Sequence, residues 1–338
     1  MSHDFKTLIN KIACGEFLTR QESRDAFNYM MSGDATGAQI GAFLMGLRLR
    51  GETIEEITGA TEAMRAKAHL VKVPDSAVDT CGTGGDGSHT YNISTAAAIT
   101  LAACGITVAK HGNRAISSRS GSADVLENLG INIEAEMSVI KRCITEAGIG
   151  FMMATRYHSA MRHVGPSRTS LGTRTIFNLL GPLSNPAGTK YQVIGVFDKK
   201  WTAPLAEVLG KLGSKRVWVV HGADGLDELS ISGPSYVSEY ENGKVTSFEI
   251  SPEDAGLKNF PLIEIRGGDA AHNARALKQI LKGEKNAYRE IVLLNCAAAL
   301  LVSGKAADLK QGAILAAEAI DSGAAQKKLD QWIKMSNG

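Results

Sequence analysis

A glycine-rich run at positions 82–87 decides more about this fold than any other segment of the chain. Four of its six residues are glycine, so its backbone can turn tightly and approach a phosphate closely. A short strand at 77–79 leads into the run. A helix with Asn92 as its predicted N-cap follows through Ala103, and the next strand lies at 105–109. This β-loop-α-β order predicts a parallel sheet.

Helix-capping signals divide the first 70 residues into helices. Thr19, Thr36 and Thr53 each precede a Glu or Gln by three positions, which is the spacing of a capping box. The apolar pattern predicts helices over 4–14, 20–31, 37–50 and 54–68. We expect one apolar face of the third helix to pack against a second copy of the chain; it consists of Ile40, Phe43, Leu44 and Leu47.

The rest of the chain continues the α/β pattern with one interruption. Further strands are predicted at 149–154, 191–197 and 216–220, and Asn242-Gly243 predicts the turn of a hairpin. Residues 270–335 return to helices. The proline-containing segment 166–189 breaks the alternation, and we expect it to rejoin the N-terminal helices.

Composition excludes several classes of protein. The chain is 44% hydrophobic and 21% charged, with a net charge of +2 and no block of like charges, so a nucleic-acid partner is not expected. The longest apolar stretch is too short to span a bilayer, and the N-terminus does not resemble a signal peptide. The five cysteines contain no C-x-x-C pair, which is typical of reduced thiols in a cytoplasmic protein.

Two familiar phosphate-binding motifs fit the glycine run only in part. A dinucleotide-binding fold needs an acidic residue at the end of the second strand, where this chain has Lys110 and His111. A P-loop needs Lys and then Ser or Thr after its last glycine, where this chain has Ser88 and His89. The glycine run and the helix start after Asn92 therefore predict a site for a small, strongly anionic ligand.

Basic and hydroxyl side chains follow the second strand between positions 110 and 122. Three cations, Lys110, Arg114 and Arg119, are accompanied by four serines. Lys and Arg supply charge and hydroxyl groups supply hydrogen bonds, so the segment predicts a clamp for a polyanion such as pyrophosphate.

The adjacent acids Asp227 and Glu228 follow a later strand. Proteins commonly hold Mg²⁺ with one or two carboxylates, waters and substrate phosphates, so the pair predicts a Mg²⁺ site, to which Ser94 could add a hydroxyl. No nucleophile and base have a convincing spacing. His158 and His163 lack the glutamate of a zinc motif, and we interpret them as packing or loop residues. Catalysis by positioning and charge stabilisation is expected instead.

The chain resembles the anthranilate phosphoribosyltransferase family of tryptophan biosynthesis over nearly its whole length. The resemblance rests on GTGGDG at 82–87, NIST at 92–95, KHGNR at 110–114, SGSADVLE at 120–127, GTRTIFNLLGP at 172–182 and DGLDE at 224–228. It implies a small all-helical domain and a larger α/β domain whose central, mostly parallel sheet is flanked by helices. The implied helical, dimer-forming domain is 1–72 with 166–189, and the implied domain for phosphoribosyl pyrophosphate (PRPP) is 73–165 with 190–338.

The resemblance also implies a reaction and its residues. The amine of anthranilate would displace pyrophosphate from C1 of PRPP, in a homodimer that uses Mg²⁺, two ions per subunit. The implied anthranilate contacts are Gly82, Asn113 and Arg168, with Arg168 facing the carboxylate, and the implied metal ligands are Ser94, Asp227 and Glu228. The implied PRPP site contains Gly82, Gly85, Asp86, Thr90, Asn92, Ile93, Ser94, Thr95, Lys110, His111, Gly112, Asn113, Arg114, Ala115, Ile116, Ser117, Ser118 and Ser122.

Two other functions stay open at this point. A pyrimidine nucleoside phosphorylase would share the implied fold but would bind free phosphate and a nucleoside. A non-catalytic regulator would bind a nucleotide or nucleic acid, which the acidic pair Asp227-Glu228 and the lack of a basic surface pattern disfavour.

Overall fold

A computed structural model describes residues 4–114 and 120–338 of the chain, and its N-terminal part is helical. Three helices begin at the predicted capping boxes. In each, the threonine hydroxyl accepts a hydrogen bond from the backbone N–H of the third helical residue. The side chain of that residue accepts one from the threonine N–H in turn. The predicted ranges are confirmed to within two residues by α1 (Phe5–Ala13), α2 (Arg20–Ser32), α3 (Gly37–Arg50) and α4 (Ile54–Ala66).

The apolar face of α3 points into the chain's own interior. Phe43 packs against the rings of Phe5 in α1 and Phe27 in α2, with ring centroids 5.2 and 5.9 Å apart. The expectation that this face meets a second copy is therefore wrong, because α1 and α2 already cover it. All four of its residues are at most 1% exposed: Ile40, Phe43, Leu44 and Leu47.

Within the described residues, seven strands form one sheet in the order β3-β2-β1-β4-β5-β6-β7. Strands β1 to β5 pair in parallel, and β6 and β7 add an antiparallel hairpin. Asn242 and Gly243 have φ of 51° and 82°, as the predicted two-residue turn requires. The strands are β1 (Val78–Gly82), β2 (Val108–Gly112), β3 (Ile149–Met153), β4 (Tyr191–Gly195), β5 (Arg216–Gly222), β6 (Ser235–Glu241) and β7 (Lys244–Ile250).

The strand order reverses beside β1. The chain runs outward from β1 through β2 to β3, and then returns to the other side of β1 with β4 and β5. At such a reversal, the loops that leave the carboxyl ends of the two central strands diverge and leave a crevice, where ligands bind in α/β proteins. Gly82 of β1 pairs with Gly195 of β4 at this edge, so the glycine run begins at the crevice.

Helices cover both faces of the sheet. Val217 and Val219 of β5 belong to one core, whereas Trp218 and Val220 belong to the other, as expected for a parallel sheet buried on both faces. The remaining helices are α5 (Ile93–Ala103), α6 (Ser122–Leu129), α7 (Met137–Arg142), α8 (Ala154–Tyr157), α9 (Gly165–Leu171), α10 (Phe177–Leu183), α11 (Thr202–Lys211), α12 (Ala270–Leu281), α13 (Ala287–Val302), α14 (Leu309–Asp321) and α15 (Ala324–Ser336).

The proline-containing segment packs against the N-terminal helices. Phe177 of α10 meets Phe27 of α2 edge to face, with ring centroids 5.3 Å apart, and both rings lie in one core with Leu180. The same core continues through Leu205 of α11 into the α/β part, so the exact bounds of the helical and α/β domains stay a prediction. In the described part of the chain, no helix has both the length and the apolar character to cross a membrane.

Candidate active site

Glycines at the ends of β1 and β4 make room for Asp227. A Cβ on Gly82 would lie 2.3 Å from Asp227 Oδ2, and one on Gly195 would lie 1.4 Å from the Asp227 carbonyl oxygen. The freed space lets Asp227 Oδ2 accept the Gly84 N–H at 2.6 Å. The glycine run and the acidic pair, which are distant in sequence, therefore meet at one edge of the sheet.

The glycine run is a tight turn, as predicted. Gly84, Gly85 and Gly87 have φ of 68°, 74° and 78°, in the left-handed region that favours glycine. Between them, Asp86 accepts hydrogen bonds from the hydroxyl and the backbone N–H of Ser88. The turn thus holds a third carboxylate near the acidic pair.

The three carboxylates of Asp86, Asp227 and Glu228 lie in one electrostatic neighbourhood. Burial, followed by the charge of Asp86, raises the pKa of Asp227 to about 7. Burial, followed by the charge of Asp227, raises the pKa of Glu228 to about 8. The protein alone supplies too little positive charge here to keep both buried acids ionised, and a cation would remove that shortage.

The donors at this edge fit Mg²⁺ shared with a phosphate ligand. Across residues 4–114 and 120–338, no three His, Cys, Asp or Glu side chains are arranged to hold a metal by themselves. Mg²⁺ commonly takes only one or two carboxylates from a protein and completes its shell with waters and substrate phosphates. Asp227 and Glu228 match that requirement.

Lys110 of β2 is buried next to the acidic pair and is only 1% exposed. Its ammonium group donates to the Thr80 carbonyl and to Ser94 Oγ, the latter at 3.2 Å. Its charge lowers the pKa of Glu228, and the Ser94 backbone does so as well. Lys110 therefore links β1, β2 and the first turn of α5, and it acts on the acids as a buried positive charge.

Asn92 precedes α5, but its side chain does not cap the helix. Its ψ is 78°, and its side chain accepts no hydrogen bond from the first turn. The predicted position of the N-cap is confirmed, but the prediction of a side-chain cap is wrong, because the amide bonds to the Ser120 carbonyl and to Asn273 instead.

The first turn of α5 thus receives no side-chain cap from Asn92. The Ile93 N–H donates to the Tyr91 carbonyl at 2.9 Å. The Ser94 backbone interacts with an anion of the protein itself, the Glu228 carboxylate.

The other residues predicted at this helix start differ in exposure. Thr90 pairs with Arg266 in an isolated antiparallel bridge, which fixes the segment before Asn92. Ile93 is 2% exposed and packs into the core, so only its backbone faces the site. Thr95 is fully buried, and its hydroxyl has no hydrogen-bond partner among the described residues.

The residues after β2 divide between buried and paired positions. The His111 N–H donates to Asp79 Oδ1 at 3.2 Å, which anchors the strand end. A Cβ on Gly112 would lie 2.5 Å from Ser122 Oγ, and that hydroxyl donates to the Asn113 carbonyl at 3.3 Å. Asn113 and Ser122 are therefore brought together.

Arg114, which precedes α6, already forms ion pairs with two acids of that helix. Its guanidinium bonds to Asp124 at 3.2 Å and to Glu127 at 2.9 Å, both in α6. In this arrangement it does not extend toward the acidic pair as a free cation. The predicted site residues Ala115, Ile116, Ser117 and Ser118, and the cation Arg119, lie outside the described residues.

Two histidine rings are buried side by side near the strand ends. The centroids of His111 and His158 lie 5.2 Å apart in an edge-to-face arrangement. Burial is the main cause that lowers the pKa of His111 to about 3 and that of His158 to about 4, so both imidazoles are neutral at physiological pH. The prediction that His158 is a packing residue agrees with its 4% exposure.

Arg168 of α9 is a half-buried cation without an acid beside it in the described part of the chain. Its guanidinium lies 5.1 Å from the centroid of the Phe177 ring. Burial lowers the pKa of Arg168, and no carboxylate in the described part of the chain opposes that shift. The position therefore suits an external carboxylate.

Arg174 joins the site, although the sequence pattern does not single it out as a candidate. It lies between α9 and α10, donates to the Gly85 carbonyl, and stacks 4.2 Å from the centroid of the Phe197 ring. Its charge also lowers the pKa of Asp227. The sequence offers one signal for Arg174, namely an arginine within the 172–182 motif that has no acidic residue nearby. Its partner Gly85 is 89 positions away, so the sequence does not show the contact.

Comparison with known proteins gives the family context. Residues 74–326 match the α/β domain of a glycosyl transferase family, and residues 6–68 match its helical bundle domain. An anthranilate phosphoribosyltransferase of Rhodopseudomonas palustris strain TIE-1 is 59% identical over 333 residues, which cover 98% of each chain. The chain is also similar to two solved structures.

Those structures come from a bacterium and from yeast. The anthranilate phosphoribosyltransferase of Thermus thermophilus is 42% identical with a TM-score of 0.93, over 98% of this chain and 99% of that one. The Saccharomyces cerevisiae enzyme of the same name, in complex with PRPP and Mg, is 28% identical with a TM-score of 0.89, over 98% of each chain. The likeness thus extends across sequence, both domains and fold.

Proposed function

The chain belongs to the anthranilate phosphoribosyltransferase family, and from this we propose that it transfers the 5-phosphoribosyl group of PRPP to the amine of anthranilate. The products are N-(5-phosphoribosyl)anthranilate and pyrophosphate, in tryptophan biosynthesis. One observation carries the proposal from the site itself. The buried acids Asp227 and Glu228 face a glycine turn and the uncapped start of α5, at the reversal of a parallel sheet.

This arrangement suits a metal-bound pyrophosphate group. The turn at Gly85 and the first turn of α5 bring backbone N–H groups to the site, and those beyond Gly84 and Ile93, which already donate to Asp227 and Tyr91, could donate to phosphate oxygens. Lys110, which bonds to Ser94, and Arg174, which bonds to Gly85, supply positive charge beside the acids. The PRPP site proposed here comprises Gly82, Gly85, Asp86, Thr90, 92–95, 110–118 and Ser122.

We propose that Asp227, Glu228 and Ser94 hold Mg²⁺ jointly with the phosphates of PRPP, with two ions in each subunit. A relative supports the choice of metal, since the yeast structure holds PRPP and Mg. When bound, the metal would offset the negative charge of the departing pyrophosphate. Ser94 Oγ already accepts a hydrogen bond from Lys110, which orients its lone pairs.

Anthranilate is proposed to bind between Gly82, Asn113 and Arg168. Its carboxylate would pair with the Arg168 guanidinium, which has no acid of its own among the described residues. Phe177 lies against the same guanidinium and limits its movement. Binding there would leave the amine free to face C1 of the sugar.

The chemistry requires no covalent intermediate on the protein. The C1–O bond to pyrophosphate breaks with its electron pair leaving on oxygen, and the lone pair of the amine forms the new C1–N bond. The nitrogen then gives up a proton. The chain contributes by aligning the two substrates, by stabilising the charge on pyrophosphate, and by excluding water that would hydrolyse the sugar.

The test is an assay of pyrophosphate release from PRPP with Mg²⁺, with and without anthranilate. We expect release to depend on anthranilate and to match the anthranilate consumed. A parallel assay with inorganic phosphate and a pyrimidine nucleoside addresses the phosphorylase alternative. Phosphorolysis of the nucleoside, together with no anthranilate-dependent release of pyrophosphate, would overturn the proposal.

We also propose that the enzyme is a homodimer formed through its helical part, 1–72 with 166–189. Large apolar side chains remain exposed on that part: Leu49 of α3 is 82% exposed and Phe17 is 58% exposed. The guanidinium of Arg50, the residue after Leu49, lies 4.6 Å from the centroid of the Phe17 ring, which places Phe17 beside the end of α3. Burial of these side chains against a second copy would remove apolar surface from water.

A further inference from the structure

The Asn92 side chain presents donors at the start of α5. Its Oδ1 accepts a hydrogen bond from Asn273 Nδ2 at 2.9 Å, and its Nδ2 donates a long one, 3.4 Å, to the Ser120 carbonyl. An amide nitrogen carries two hydrogens. Among the described residues, the second N–H of Asn92 has no hydrogen-bond partner, so it is available to an acceptor on a ligand.

The orientation of the Asn92 amide is set by a group that can only donate. Asn273 of α12 is 1% exposed, and its Oδ1 accepts the backbone N–H of Gly268 at 2.8 Å. A backbone N–H cannot accept, so the oxygen of Asn273 must face Gly268 and its NH₂ group must face Asn92. The oxygen of Asn92 must then face Asn273, which leaves its NH₂ group on the other side.

The backbone of Asn92 is fixed separately. The Tyr288 hydroxyl of α13 donates to the Asn92 carbonyl at 3.2 Å. The Tyr288 ring stacks on Tyr91, with centroids 4.4 Å apart. Since the main chain is held in this way, rotation of the amide is the remaining freedom, and Asn273 controls it.

We infer that Asn273 is a positioning residue for PRPP binding. Asn273 orients the Asn92 amide so that the N–H groups of Asn92, and not its oxygen, meet an anionic oxygen of the substrate. The inference rests on the proposed function, because it assigns Asn92 to the PRPP site. We call the two hydrogen bonds that join the Gly268 N–H, Asn273 and Asn92 the relay. Neither Asn273 nor Gly268 needs to touch the substrate.

Asn273→Asp tests the relay with almost no change of shape. In this variant an ionised carboxylate could still accept from Gly268 but could not donate to Asn92, so the Asn92 amide would turn its oxygen toward PRPP. We expect the KM for PRPP to rise about tenfold, the effect of losing one hydrogen bond to a charged group, with kcat changed less than about twofold.

The pH dependence separates orientation from general damage. Burial raises the pKa of a carboxyl group, and a protonated aspartic acid can again donate to Asn92. The ratio of variant to wild-type KM for Asn273→Asp should therefore decrease as the pH is lowered, whereas the ratio for Asn273→Ala should stay flat. A flat ratio for both variants would overturn the inference.

A double variant identifies Asn92 as the residue through which Asn273 acts. In an Asn92→Ala background, a further Asn273→Asp change should alter the KM for PRPP less than about twofold. Independent, multiplying effects would overturn the inference. If Asn273→Asp does not fold, Asn273→Ala carries the same double-variant test.

Two controls complete the experiment. Asn337, at the end of α15, donates amide hydrogen bonds to the Gly130 and Ile333 carbonyls, and Asn337→Asp removes them. This variant makes the same chemical change and should leave the KM for PRPP close to that of wild type. Wild-type enzyme that releases pyrophosphate only with anthranilate upholds the proposed function. In that case, normal kinetics of Asn273→Asp would overturn the inference about Asn273 and leave the proposed function standing.

Discussion

At the scale of single residues, the groups that suit a ligand are the charges that the protein balances only in part or not at all. Arg168 has only an aromatic ring beside it, and Asp227 and Glu228 repel each other. Arg114, by contrast, bonds to Asp124 and Glu127. Those partners lie 10 and 13 positions away, so the sequence contains the signal that Arg114 is neutralised.

Arg168→Ala is expected to raise the KM for anthranilate. A carboxylate that loses a charge-assisted hydrogen bond loses about 1.5–3 kcal/mol, which corresponds to a rise of about 10- to 160-fold. Steady-state kinetics at saturating PRPP measure it. Arg162→Ala, at an exposed arginine in the preceding turn, is the control. An unchanged KM in Arg168→Ala would remove Arg168 from the anthranilate site.

Asp227 and Glu228 are expected to make the metal-free enzyme less stable as pH rises. Their folded pKa values, about 7 and about 8, lie above the ordinary values of unfolded acids, so the native state holds protons that the unfolded state has released. Stability should therefore fall between about pH 5 and about pH 8, by on the order of 5 kcal/mol for the two acids together. Urea unfolding without metal, at both pH values, measures this loss.

The variant Asp227→Asn with Glu228→Gln is the matched control for that measurement. It should lose most of the pH dependence and should be more stable than wild type near pH 8, because no buried charge is formed. Calorimetry should also show weaker binding of pyrophosphate in the presence of Mg²⁺. Equal pH dependence in both proteins would contradict the role given to these acids.

At the scale of elements, local signals predict the helices and distant partners correct them. The capping boxes at Thr19, Thr36 and Thr53 place helix starts correctly, since the two partners of each box are close in sequence. Asn92 has an equally good residue type for a cap, but its partner Asn273 is 181 positions away. The sequence alone cannot weigh such a competitor, because its proximity depends on how α12 packs near the start of α5.

The connection between α9 and α10 is an element that supports the glycine run. Arg48 of α3 donates to Thr173 Oγ1 at 2.7 Å and to the Arg174 carbonyl, and the Arg174 guanidinium reaches Gly85. We expect Arg174→Ala to raise the KM for PRPP about fivefold, because the turn loses one charged donor worth about 1 kcal/mol. Kinetics with varied PRPP measure it.

Arg275→Ala provides the comparison for that variant. Arg275 is an exposed arginine of α12, so its removal changes the net charge equally without touching the glycine turn. Its KM for PRPP should stay close to that of wild type. Equal increases in both variants would mean that net charge, and not the contact with Gly85, sets the affinity.

At the scale of the whole molecule, the strand pattern predicts the site's location better than its contacts. The β-loop-α-β unit predicts a parallel sheet, and Gly82 does lie at the reversal of strand order. The prediction that the apolar face of α3 packs against a second copy is wrong because an apolar helix face indicates that the face is buried. It does not indicate which part of the molecule buries it. Ile40 and Phe43 are covered by the chain itself.

Leu49→Glu is expected to shift the enzyme from dimer toward monomer. The substitution places a charge at a highly exposed apolar position of the proposed interface. Sedimentation equilibrium over a range of protein concentrations measures the shift. Ile314→Glu, at a 59% exposed position of α14, is the control and should sediment as wild type does. A Leu49→Glu protein that remains a dimer would place the interface elsewhere.

The glycine at position 195 has a consequence for how mutational maps of this enzyme should be interpreted. It offers no side chain to a substrate, yet any replacement would put a carbon atom where the Asp227 carbonyl oxygen stands. A library of random substitutions scored for loss of activity should therefore mark position 195 as intolerant. Taken at face value, such a map would count the end of β4 as catalytic surface, although its role is to leave space for another residue.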